Sequence, residues 1–133
     1  MPWLLDTNTC IYIIKQKPIS VFDKFNVISP GQIALSVITL AELEYGARKS
    51  AAVEKNLSAL HQFSIPFDIL PFDYNATVEY GIIRADLEGK GTPIGPLDTL
   101  IAAHAKSLNY ILVTNNEKEF SRVNGLQVEN WVK

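Results

Sequence analysis

The stretch Pro96-Leu97-Asp98-Thr99-Leu100-Ile101-Ala102-Ala103-His104-Ala105-Lys106-Ser107-Leu108-Asn109-Tyr110-Ile111-Leu112-Val113 changes its period part-way along. Leu97, Ile101, His104 and Leu108 recur at helical spacing, and proline suits a first helical position. The spacing predicts a helix over 96–108 with one buried face. After Asn109 the run Tyr110-Ile111-Leu112-Val113 reads as a short apolar strand. Working outward, the same alternation repeats. Trp3-Leu4-Leu5, Ile33-Ala34-Leu35-Ser36-Val37 and Phe67-Asp68-Ile69-Leu70 read as strands, and Leu126-Gln127-Val128 as a weaker fifth. Residues 7–16, 18–26, 39–49, 51–64 and 73–90 read as helices, the last with Ala76, Tyr80, Ile83 and Leu87 on one face. Strands separated by helix-length segments give an α/β fold whose parallel sheet is covered on both faces. Sites in such folds form beyond the carboxyl ends of the strands.

Composition narrows the function. The chain has 133 residues, enough for one core and not two, so a single domain over 1–133 is expected. Its 12 Lys and Arg against 14 Asp and Glu give a formal charge of -2, without the basic excess of a module that binds nucleic acid through phosphates alone. Cys10 is the one cysteine and reads as a small buried hydrophobe, which excludes an internal disulfide and a multi-cysteine zinc site. With only His61 and His104 as imidazoles, any metal must be held mainly by oxygen, which suits magnesium or manganese. The N-terminus carries no signal-peptide pattern, and no apolar run approaches a membrane span, so a cytoplasmic location is expected.

Three acids lie where the fold puts chemistry. Asp6 follows the first strand, Asp98 falls in the first turn of the helix opened by Pro96, and Glu119 follows the strand at 110–113. Each has an ordinary structural role as well. Asp6 suits an N-cap, Asp98 suits a helix dipole, and Asn116 with Glu119 resembles a capping box. Together they project near one edge of the sheet, where like charges repel unless a divalent cation sits among them. Such a cluster could activate water for attack on a phosphodiester. Glu42 lies off the face defined by Leu40, Leu43 and Ala47, and helical periodicity does not select it over Glu44. His104, at a buried angle beside Leu97 and Leu108, reads as a core histidine, and Ala102-Ala103-His104-Ala105 as a tightly packed segment. Thr7, Thr39, Thr114 and Asn115 suit either helix caps or groups that orient carboxylates.

Five blocks carry a resemblance: Leu4-Leu5-Asp6-Thr7-Asn8; Ser36-Val37-Ile38-Thr39-Leu40-Ala41-Glu42-Leu43 with Gly46; Ile94-Gly95-Pro96-Leu97-Asp98 with Ile101-Ala102-Ala103-His104-Ala105; Leu112-Val113-Thr114-Asn115-Asn116 with Glu119-Phe120; and Gly125-Leu126 with Glu129-Asn130-Trp131. In order and in register, they resemble the PIN domain of VapC toxins. The resemblance implies a three-layer α/β/α sandwich and a magnesium- or manganese-dependent endoribonuclease, the toxin of a type II toxin–antitoxin pair. It implies a catalytic set of Asp6, Glu42, Asp98 and Glu119, and it is what promotes Glu42 above Glu44. Asp6, Asp98 and Glu119 would hold the metal, with Glu42 completing the cluster and orienting water. Many relatives carry aspartate at position 119, or another where Asn116 stands, so the fourth ligand is where this chain departs from the pattern. Thr114 and Asn115 match a polar pair lining the pocket, and Thr7, Asn8, Thr39 and Asn116 complete the supporting polar set. Implied partners are a structured RNA such as transfer or ribosomal RNA, a VapB-like antitoxin whose tail enters the acidic pocket, and a second copy in a homodimer.

Lys15, Lys17, Arg48 and Lys49 flank the expected site and could guide an RNA backbone, or simply form a solvated face. Two other readings stand beside the nuclease. One is a PIN-fold interaction module without activity. The other is a phosphatase-type enzyme using Asp6 as nucleophile, although its motif wants an aspartate where Asn8 stands. Setting aside Asp6, Glu42, Asp98 and Glu119 leaves 12 basic against 10 acidic residues, a balance of +2. The chain's acidity is that of one pocket on a mildly basic scaffold.

Overall fold

A computed structural model describes residues 2–133. Five parallel strands form one sheet in the order β3-β2-β1-β4-β5: β1 is Trp3–Leu5, β2 Ile33–Ser36, β3 Asp68–Leu70, β4 Ile111–Val113 and β5 Val128–Glu129. Helices α1 (Thr7–Lys15) and α2 (Ile19–Asn26) follow β1, and α3 (Val37–Arg48) and α4 (Val53–Ser64) follow β2. Helices α5 (Tyr74–Gly89) and α6 (Pro96–Leu108) join β3 to β4, and the short α7 (Glu117–Phe120) precedes β5.

Strand alternation sorts the interior into two cores. Leu4, Ala34 and Leu112 point to one face, against Ile83 and Leu87 of α5 and Ile101, Ala102 and Ala105 of α6. Leu5, Leu35 and Val113 point to the other, against Ile13 of α1, Val21 of α2, Leu43 of α3 and Leu60 of α4. The result is the three-layer α/β/α sandwich with a central parallel sheet. The alanines of α6 are wholly buried, so their small side chains bring the helix close to the sheet. Cys10 is buried, as expected of a small hydrophobe. No helix among the described residues is long and apolar enough to cross a membrane.

Several boundaries differ from the sequence reading. The second strand ends at Ser36 rather than Val37, and α3 begins at Val37 rather than residue 39. Ser36 is the cause: its side chain accepts from the Ile38 N–H and caps the helix, overriding the β-branched run that follows. The fifth strand is Val128–Glu129, displaced toward the C-terminus from 126–128. Asn109 ends α6 in the left-handed region (φ 57°), with the Tyr110 N–H reaching back to the Ala105 carbonyl at 3.0 Å.

Strand order reverses about β1, because β2 and β3 lie on one side and β4 and β5 on the other. A crevice forms at such a switch point beyond the carboxyl ends of the strands. Asp6 leaves β1 there, and Thr114 leaves β4 beside it. The Asp6 N–H donates to the Val113 carbonyl at 3.0 Å, so the ladder holds the two strand exits together.

Candidate active site

Asp6 does two things at once. Its Oδ1 accepts from the Thr9 N–H at 2.8 Å, so it is the N-cap of α1, and it is only 6% exposed. Burial raises its carboxyl above the usual range, while hydrogen bonds from Thr114 and Thr9 pull the other way. Asp98 stands in the first turn of α6, behind Pro96. Its carboxyl is pushed from the ordinary 3.8 up to about 6, first by burial and then by the negative charges of Glu119, Glu42 and Asp6. Asp98 therefore senses all three of the other acids. The structure brings the four carboxylates into one electrostatic cluster.

Glu42 and Glu44 are sorted by their partners. Thr7 Oγ1 donates to Glu42 Oε1 at 2.7 Å, across 35 residues of sequence. Glu44 instead meets His61 Nε2 at 3.1 Å and Arg48 Nε at 3.5 Å, contacts that hold its carboxyl below the usual range. Helical periodicity carried no sign of this difference, because the deciding hydroxyl comes from α1. The buried face of α3 is also not quite the expected one: Thr39, Leu43 and Ala47 are buried, and Leu40 is half-buried.

Asn116 and Glu119 are joined, but not as a capping box. The Asn116 amide donates to Glu119 Oε2 at 2.9 Å, and Asn116 makes no side-chain cap to the backbone of α7. The correction has a physical reason. Thr114 Oγ1 accepts from the Asn116 N–H at 2.9 Å, the backbone donor that a capping box would give to Glu119. Thr114 is fully buried and serves both Asp6 and Asn116.

The remaining polar residues divide. Asn115 is exposed and accepts from the Asn130 amide at 3.2 Å, a partner that sequence reasoning did not single out. Asn8 is exposed and makes no hydrogen bond to the four acids among the described residues, and Thr39 is buried with its hydroxyl unpartnered. Lys15 joins Glu42 in lining a cavity of about 300 Å³ whose apolar walls include Ile11, Ile14, Leu43 and Leu60. Lys17 is exposed, Arg48 pairs with Glu44, and Lys49 lies 4.9 Å over the Tyr45 ring. His104 is a core residue: its Nδ1 lies 2.7 Å from Ser36 Oγ, Phe72 packs edge-on at 5.5 Å, and burial pushes its pKa down. Ser36 is a structural support that sequence reasoning did not single out, capping α3 and meeting the core histidine. Its position before a hydrophobic helix was the available signal.

Among the described residues no ion pair compensates Asp6, Glu42, Asp98 or Glu119. Nor, among the described residues, do three or more His, Cys, Asp or Glu side chains come together closely enough to hold a metal ion by themselves. An open cluster of hard, uncompensated oxygen donors suits a small divalent cation that keeps several waters and takes one or two carboxylates. It suits zinc or a soft metal poorly.

A PIN domain family model matches residues 3–126. The chain is 47% identical over 131 residues to the "tRNA(fMet)-specific endonuclease VapC" of Shigella flexneri, covering 98% of each protein. The chain belongs to the VapC family of PIN domains. Solved VapC-containing structures share its fold. The crystal structure of DNA-bound VapBC from Salmonella typhimurium superposes with a TM-score of 0.92 at 45% identity, covering 98% of each chain. VapBC2 from Rickettsia felis, bound to a DNA fragment from the promoter, gives 0.92 at 44% identity over 98% of this chain and 99% of that one. The VapC relationship thus spans the strand exits that carry Asp6 and Thr114 as well as both helical layers.

Proposed function

We propose that this chain is a magnesium- or manganese-dependent endoribonuclease, the toxin of a type II toxin–antitoxin pair. The observation that carries this reading is four carboxylates without an ion-pair partner, Asp6, Glu42, Asp98 and Glu119, near one another at a switch-point crevice. Asp6, Asp98 and Glu119 would hold the divalent ion. When bound, the ion supplies Lewis acidity, polarising the scissile phosphate and making water a stronger nucleophile near neutral pH. Asp6 and Glu119 each accept a short hydrogen bond, from the Thr9 N–H and from the Asn116 amide respectively. Glu42, held at one oxygen by Thr7, offers the other to the attacking water and orients it toward phosphorus. Water adds to phosphorus as its proton passes to Glu42, the bond to one ribose oxygen breaks, and that oxygen takes a proton from solvent and leaves as a hydroxyl. His104 takes no part, being buried against Ser36.

The name of the Shigella flexneri relative makes transfer RNA the first substrate to test. Lys15, beside Glu42, is the best placed of the basic residues to meet a phosphate backbone, with Lys17, Arg48 and Lys49 farther along the same reading. The VapBC structures support a VapB-like antitoxin as partner, and the apolar cavity next to Glu42 suits a segment of it. Tyr74, Val78 and Ile82 stand exposed at four-residue spacing along α5, which supports a homodimer.

The test is cleavage of transfer RNA by purified, antitoxin-free protein with magnesium or manganese, with a chelator control. Cleavage that needs metal and disappears in Asp6→Asn and Asp98→Asn is expected. Metal-independent cleavage, or none with either ion, overturns the reading.

A further inference from the structure

The Thr7–Glu42 hydrogen bond has a geometry that a general structural role does not require. Thr7 is the first residue of α1, and the α1 cap is already supplied by Asp6, so its hydroxyl has no capping duty. It reaches instead across to α3 and takes Glu42 Oε1 at 2.7 Å. Among the described residues this is the one hydrogen bond that the Glu42 side chain makes. A glutamate on a helix surface otherwise samples several rotamers. Only two residues away, Glu44 is drawn off by His61 and Arg48. α3 therefore carries two nearby acids on different sides of the helix, and the hydroxyl from α1 meets Glu42 alone.

We propose that Thr7 is a positioning residue for the reaction. By occupying Oε1 it leaves Oε2 of Glu42 as the carboxylate oxygen that meets the attacking water. The inference rests on the nuclease reading above, and it assigns to Thr7 a role in turnover rather than in metal or RNA binding.

The experiment compares Thr7→Val, which keeps the shape and loses the hydroxyl, with Thr7→Ser, which keeps the hydroxyl. Steady-state cleavage of transfer RNA and manganese affinity by calorimetry are measured for each, alone and in a Glu42→Gln background. Thr7→Val should lower kcat roughly ten- to hundredfold, with KM and manganese affinity within about twofold of wild type. Thr7→Ser should restore kcat to within about threefold. In the Glu42→Gln background, Thr7→Val should cost little more, because both changes remove one unit of the machinery. An equal loss in both backgrounds, an unchanged kcat in Thr7→Val, or a fall in manganese affinity that accounts for the loss overturns the proposal. Failure of the nuclease reading is a separate result, since it leaves the wild-type protein itself without cleavage.

Discussion

Ser36 Oγ lies 2.7 Å from His104 Nδ1 and 3.0 Å from the Ile38 N–H, so one buried hydroxyl caps α3 and anchors the middle of α6. It thereby ties together two helices that carry Glu42 and Asp98 from opposite faces of the sheet.

Replacing Ser36 by alanine should remove the cap and leave a buried imidazole nitrogen without its partner. The two losses together are expected to cost about 2–3 kcal/mol. Urea unfolding monitored by circular dichroism checks this, and Ser36→Thr should recover part of the loss. An unchanged midpoint would mean that neither bond supports the fold.

Asp98 predicts a pH dependence of the metal-free protein. Its folded pKa, about 6, lies above the ordinary 3.8, so the folded state holds the proton more tightly than the unfolded one. Its effect is absent below the lower value, and stability is lost as pH rises through the higher one. With solvent screening the loss is on the order of 1 kcal/mol. Metal-free Asp98→Asn should therefore exceed wild type in stability at pH 7 and converge with it near pH 4. Thermal unfolding of both proteins across that range provides the check; parallel curves would contradict the coupling.

Divalent ions should stabilise the protein by relieving the same repulsion. At roughly a hundredfold excess over Kd the gain is about 2.7 kcal/mol. Magnesium and manganese should raise the melting temperature, a chelator should reverse the rise, and Asp98→Asn should blunt it. Equal shifts in wild type and variant would place metal binding elsewhere.

Glu129 supports the last strand through both tryptophans of the chain. Its Oε1 accepts from Trp3 Nε1 at 3.3 Å and from Trp131 Nε1 at 2.7 Å, and the two rings meet edge to face at 6.4 Å. Glu129→Ala should leave both indoles without an acceptor and cost on the order of 1–3 kcal/mol. Because these are the only tryptophans, fluorescence emission should shift to the red even where the protein stays folded.

Much of this architecture was readable because it is local. Pro96 and Asn109 mark the bounds of α6 by backbone chemistry, and short apolar runs between amphipathic segments announce a parallel sheet. Asp6 and Asp98 were legible because they sit directly at a strand exit and a helix start. What escaped is what depends on distant partners. Glu42 became distinguishable from Glu44 only through Thr7 in another helix. The start of α3 was obscured because Val37, Ile38 and Thr39 have strand-like side chains while Ser36 sets the helix. Asn116 and Glu119 met as the sequence suggested, but Thr114 had already claimed the backbone donor. The four-residue helix α7 is too short to show a periodicity.

The cap at Asp6 means that one carboxylate holds the fold together at the place where the chemistry is proposed. Asparagine caps helices as well as aspartate does, whereas alanine forfeits about 1 kcal/mol of helix stability. Asp6→Asn is therefore the gentlest way to disarm this protein. The silenced molecule should keep its shape, still engage the antitoxin, and so act in a cell as a decoy that frees active copies rather than as a simple loss.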